Sequence, residues 1–188
     1  SWTSSSADTS HTFTDFPVGT YTLRETGTPV GYMTANDITV NVTNGNTASA
    51  NFINRPTSVT IKKVDENNQP LAGAHLQVLN NQGTVVDEWD TDTTGAHTIT
   101  KLAVGTYTIK ETVAPNGYVL KTGTQQFTIS AGQATAEQVF TNAKTVVKVS
   151  KIDADTGALL SGANLVIYDE NGAQVANFIS NGTIKEIT

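Results

Sequence analysis

Lys63, Glu111 and Asn142 are polar residues set in rows of alternate residues that are otherwise apolar. Side chains alternate across a strand, so parity assigns each residue to a face. Val59, Ile61 and Lys63 share one face, with Thr60 and Lys62 opposite. Tyr107, Ile109 and Glu111 share another, with Thr108 and Lys110 pointing away, and Phe140 lines up with Asn142. An apolar face is a core face, so an amine, a carboxyl and a carboxamide are all directed inward. An unpaired buried charge is very costly, so such groups pair or become neutral. The residues alone leave three outcomes open: Lys and Glu reach solvent from strand ends, they form a buried ion pair, or they lose their charges.

The same types recur at fixed distances. Glu25 follows Tyr21 and Leu23, Asn54 follows Phe52, and Lys151 follows Val147 and Val149, with Lys148 and Ser150 opposite. These positions belong to an internal repeat. VGTYTLRETGTPVGY at 18–32 returns as VGTYTIKETVAPNGY at 104–118, an offset of 86. NFINRPTSVTIKKVD at 51–65 returns as VFTNAKTVVKVSKID at 139–153, and LAGAHLQVLNNQG at 71–83 as LSGANLVIYDENG at 160–172, offsets of 88 and 89. A period near 87 is too long for a solenoid unit and fits a small independent domain. The layout expected is the back part of a domain at 1–56, a complete domain at 57–143, and the front part of another at 144–188. Within this chain Glu25 and Asn54 then have no upstream Lys, and Lys151 has no downstream Glu or Asn. Residues 144–188 of one molecule could complement 1–56 of another, or of the same molecule, although Phe178–Ile187 resembles Trp2–Phe13, so the pieces overlap by about ten residues.

The elements that position these residues read as strands. Alternation predicts them near 58–64, 74–80, 84–89, 97–101, 106–112, 124–130 and 135–141, separated by turn residues such as Asn67-Asn68-Gln69-Pro70, Thr94-Gly95 and Pro115-Asn116-Gly117. Thirty-two threonines among 188 residues favour pleated, half-buried strands over helices. No window shows the apolar spacing of a helix. Seven short strands per repeat imply an all-β fold of tandem Ig-like antiparallel sandwiches. A net charge of −6 and a pI near 4.9 argue against nucleic-acid binding. No apolar run approaches the ~20 residues of a membrane span, and no signal-peptide pattern is present. With no cysteine, disulfides, thiolate metal sites and cysteine nucleophiles are excluded.

The motifs carry a family likeness across the whole chain. Lys63-Val64-Asp65 followed by Leu71-Ala72-Gly73-Ala74, then Tyr107-Thr108-Ile109-Lys110-Glu111 with Ala114-Pro115-Asn116-Gly117-Tyr118, then Phe140-Thr141-Asn142, resemble tandem CnaB-type domains. These are the B-type repeats of Gram-positive surface adhesins and pilins. The resemblance implies an intramolecular isopeptide bond from the Lys63 side-chain nitrogen to the Asn142 side-chain carbonyl carbon, with loss of ammonia and with Glu111 promoting it. Glu25 would be the equivalent promoter in the first repeat, and Asn54 and Lys151 the equivalent, unpaired bond partners. The residues' own chemistry agrees. Burial favours the neutral, nucleophilic amine and the protonated carboxyl, which can donate to the amide oxygen and shuttle protons. Tethering supplies a high effective molarity.

The resemblance further implies a stalk or spacer that is extracellular and anchored to the cell wall in its parent protein. Its partners would be neighbouring repeats, with host matrix protein or glycan reached through other domains. It implies no cofactor, no insertion of this segment into the membrane, and no enzyme beyond single-turnover self-crosslinking. Two rivals differ in what they require. A module binding host protein or carbohydrate needs an exposed aromatic cluster or groove, which the sequence does not display. An enzyme acting on outside substrates needs titratable groups in an open cleft. Asp90-Thr91-Asp92-Thr93-Thr94-Gly95 has a calcium-loop look but lacks the remaining ligands, and reads as a polar turn. His11, His75 and His97 have no metal-binding spacing, and Trp2 and Trp89 occupy matching places expected to pack on their sheets.

Overall fold

The computed structural model describes residues 1–132 and 134–188, among which there is no helix. Two strands open the chain, β1 (Gly19–Leu23) and β2 (Ile38–Val42). Seven follow: β3 (Ser58–Asp65), β4 (His75–Leu79), β5 (Val85–Asp90), β6 (Ala96–Thr100), β7 (Gly105–Val113), β8 (Gln125–Ile129) and β9 (Gln138–Asn142). The last are β10 (Val147–Val149), β11 (Ser161–Tyr168), β12 (Gln174–Asn181) and β13 (Lys185–Ile187). The seven middle strands lie within three residues of the positions expected from alternation and turn chemistry.

The fold is all-β and Ig-like. One sheet has the order β5-β4-β7-β8, another β6-β3-β9, and β1-β2, β10-β13 and β11-β12 form two-stranded ribbons. Among the described strand pairs, one departs from the antiparallel pattern. β3 and β9 run parallel, with Lys63 opposite Phe140 and Asp65 opposite Asn142. Parallel neighbours need a long crossover, and the five strands between them provide it. The first and last strands of the middle repeat thereby become neighbours.

The chain forms two compact units, one made of Ser1–Thr60, Thr98–Tyr107 and Phe127–Glu137, the other of Ile61–His97, Thr108–Gln126 and Gln138–Thr188. In the former, Val59, Ile99, Leu102, Tyr107, Phe127 and Ile129 are buried. Tyr107 stacks on Phe127 with ring centroids 5.6 Å apart, and its hydroxyl donates to the Ala103 carbonyl at 2.9 Å. Tyr21 repeats this bond on Pro17 at 2.9 Å. Such a tyrosine fastens its strand to the preceding corner while the ring fills the core. The buried Thr57 hydroxyl donates to the carbonyls of Leu102 at 2.7 Å and Gly31 at 3.2 Å. Gly31 has φ +83°, and a Cβ there would stand 2.6 Å from the Lys101 carbonyl oxygen, so the position admits only glycine.

In the other unit, Ile61, Leu76, Val78, Ile109 and Phe140 are fully buried. The Asp65 carboxylate closes the turn after β3 by accepting the amides of Asn67 and Gln69, each at 2.8 Å. The row Val147, Val149 and Lys151, expected to face a core, does not. Val147 is 56% exposed and Lys151 is exposed, its amine donating to the Ile152 carbonyl at 3.4 Å. Among the described residues β10 pairs with β13 in a two-stranded ribbon, which by itself makes no buried face.

Candidate functional site

β3, β7 and β9 each deliver one residue to a single point. Burial alternates along β7, with Tyr107, Ile109 and Glu111 inside and Lys110 exposed. Lys63 is 0%, Glu111 3% and Asn142 1% exposed, so none of the three reaches solvent.

The Lys63 amine contacts Asn142 Oδ1 and donates to the Phe140 carbonyl at 3.3 Å. Glu111 Oε1 lies 3.6 Å from the amine, at the long end of the ion-pair range. Asn142 Nδ2 donates to Glu111 Oε2 at 2.8 Å and to the Val119 carbonyl at 2.9 Å. Glu111 Oε2 also accepts the Lys121 main-chain N–H at 2.7 Å. Its Oε1 is buried without a hydrogen-bond partner and is turned toward the amine.

Burial, opposed by the pull of the Glu111 carboxylate and aided to a smaller extent by the positive charge of Lys121, lowers the Lys63 amine to about 8. A minority of roughly a tenth of the amine is therefore neutral at pH 7, with a free lone pair. An amine touching a carboxamide, with a carboxyl on the amide nitrogen, is the arrangement needed to exchange one amide nitrogen for another.

The first repeat shows the same half of this geometry. Asn54 Nδ2 donates to Glu25 Oε1 at 2.9 Å, Glu25 Oε2 at 2.7 Å and the Met33 carbonyl at 2.9 Å. The Ala35 amide donates to Glu25 Oε2 at 2.7 Å. Met33 and Ala35 correspond to Val119 and Lys121 in the repeat. These four residues were not legible as site residues. They act through main-chain groups, which leave no mark on residue type. Among the described residues the Lys151 amine meets no Glu or Asn side chain of the kind that surrounds Lys63; it donates to the Ile152 carbonyl.

The remaining polar signals fall elsewhere. Asp92 accepts the Thr94 amide at 2.8 Å and the Thr94 hydroxyl at 2.6 Å, which makes its loop a polar turn and holds the Asp92 carboxyl below its usual range. His97 stacks on Trp89 with centroids 4.2 Å apart and bonds Asp87 at 2.9 Å. His75 bonds Asp90 at 2.8 Å. Trp2 stacks on His11 at 5.5 Å, and the contacts continue through Phe13 and Phe16 to Tyr21.

The family model described as SpaA prealbumin-like fold domain matches residues 1–56 and again 57–144. No curated protein matches the chain. Among solved structures, the TIE protein of Bacillus anthracis is 31% identical with a TM-score of 0.53, over 92% of this chain and 34% of that one. The major pilin subunit BcpA of Bacillus cereus is 24% identical with a TM-score of 0.46, over 52% of this chain and 31% of that one. The shaft pilin SpaA of Lactobacillus rhamnosus GG is 20% identical with a TM-score of 0.41, over 67% and 64%. The chain thus spans about a third of the length of the first two. With two successive matches covering most of its residues, the chain belongs to the SpaA prealbumin-like fold domain family and is a tandem CnaB-type array.

Proposed function

We propose that this chain is a force-bearing spacer of a Gram-positive cell-surface adhesin or pilin, and that its middle repeat closes an isopeptide bond between Lys63 and Asn142. The observation that carries the reading is the complete burial of an amine, a carboxyl and a carboxamide in mutual contact. In the reaction the neutral Lys63 nitrogen attacks Asn142 Cγ. The new C–N bond forms, the Cγ–Nδ2 bond breaks, and Nδ2 leaves as ammonia with the proton that Lys63 gives up. Glu111 touches the leaving nitrogen and faces the attacking one, so its carboxyl relays that proton. No outside substrate is consumed and each molecule reacts once.

The bond would join strands that are parallel neighbours but 79 residues apart in sequence. By analogy with disulfide loop closure it would stabilise the repeat by ~4 kcal/mol. Under tension the load would pass through the covalent bridge instead of the sheet hydrogen bonds. In this reading 57–143 is the complete domain, 1–56 and 144–188 are parts of its neighbours, and Glu25 promotes the equivalent bond at Asn54. The parent protein would be extracellular and wall-anchored. Neighbouring repeats would be its partners, and host matrix protein or glycan would be met by other domains.

Intact mass of the purified chain tests this. We expect a deficit of one ammonia that disappears in Glu111→Ala. The full calculated mass in a well-folded native chain would refute the crosslink and leave a plain sandwich spacer.

A ligand-binding role is favoured by one observation, the aromatic run containing Trp2, Phe13 and Phe16, which are 39%, 46% and 44% exposed. Quenching of Trp fluorescence by oligosaccharides, lost in Trp2→Ala, would support it; unchanged fluorescence would dismiss it.

A further inference from the structure

Lys121 lies in the segment between β7 and β8 and meets the site twice. Its main-chain N–H holds Glu111 Oε2 at 2.7 Å. Its ammonium sits over the Phe140 ring, 4.3 Å from the centroid. The Lys63 amine is 5.4 Å from the centroid of that same ring. Two amines thus share one aromatic side chain, whose π-system attracts cations. The first repeat keeps the main-chain contact but places Ala35 at this position.

We infer that Lys121 is a positioning residue for the Lys63–Asn142 reaction, its positive charge on the shared Phe140 ring disfavouring a second charge on the buried Lys63 amine. The inference rests on the crosslink reading above. Other groups around Lys63 do not supply this effect. Glu111 on β7 is an acid and favours the charged amine. Asn142 and Phe140 on β9 and Leu76 on β4, opposite Glu111, are uncharged. Asp65 on β3 is engaged with its own turn. Burial is the main force lowering the Lys63 amine, Glu111 opposes it, and the Lys121 charge adds a smaller downward push. The two repeats would therefore differ in how strongly their site drives the amine neutral.

Two measurements test this. In the Asn142→Ala chain, which cannot crosslink, the titration midpoint of Lys63 is read by NMR of lysine labelled at Cε. Adding Lys121→Met should move the midpoint upward, and Lys121→Arg should leave it in place. In the chain with Asn142 intact, protein recovered unfolded and uncrosslinked is refolded at several pH values, and ammonia loss is followed by mass. Lys121→Met should slow closure about fivefold at pH 7 and shift the profile to higher pH. Lys121→Ala, the residue of the first repeat, provides a second variant that also keeps the main-chain contact. An unchanged midpoint and an unchanged pH profile in both neutral variants would overturn the inference. A native chain that never loses ammonia would instead overturn the crosslink reading, and the NMR arm would still report on Lys121.

Discussion

The carboxamide nitrogen of Asn142 donates to the carboxyl of Glu111 at 2.8 Å, across 31 residues of sequence and between strands of two different sheets. In the proposed crosslinking reaction, that contact puts the acid on the nitrogen that leaves. Glu111→Gln keeps the size and a hydrogen bond but cannot relay a proton. We expect Glu111→Gln to fold and to retain the full mass of the uncrosslinked chain for days, while the native chain loses ammonia on folding. Mass spectrometry of freshly purified and aged protein checks this.

Blocking closure should expose a pH dependence that the closed protein lacks. In Asn142→Ala the Lys63 amine remains, lowered by burial to about 8 in the folded state against 10.5 when unfolded. Between these values the unfolded chain binds a proton that the folded chain does not, so stability rises with pH across that window. Below about 8 the full penalty applies, on the order of 3 kcal/mol. Urea denaturation from pH 7 to 10.5 should show this rise in Asn142→Ala. In the native chain, where the proposed bond would turn the amine into an amide, the rise should be absent.

A closed bond has a mechanical signature. Lys63 and Asn142 are 79 residues apart, so opening the loop between them would release roughly 270 Å of chain. Single-molecule pulling of a native tandem should lack that step, and Lys63→Met should restore it. Its appearance in the native chain would rule out the bridge.

Gly95 is a point where the fold, not the chemistry, sets the residue. Its φ is +63°, its carbonyl accepts the Lys63 amide at 2.7 Å, and an added Cβ would collide with the Lys63 carbonyl oxygen. Gly95→Ala should cost about 2 kcal/mol or more, from the left-handed backbone and the displaced strand together. Chemical denaturation in the Glu111→Gln background measures this without the crosslink masking the loss. A change under 0.5 kcal/mol, roughly that of an ordinary surface substitution, would contradict it.

Alternation of apolar residues and the turn signals determined the strands, because a half-buried strand has to write its two faces into its sequence with period two. The same parity determined that Lys63 and Glu111 point inward, and the repeat determined that Glu25 and Asn54 have matching places. Which strands become neighbours was decided only by the tertiary structure. The parallel β3–β9 pair joins segments far apart in the chain, and no local pattern encodes a long-range pairing. The exposure of Lys151 was likewise invisible, since a face that reads as apolar is buried only where another layer covers it. Val119 and Lys121 enter the site through their main chains, which every residue type possesses, so only the folded backbone could bring them to light.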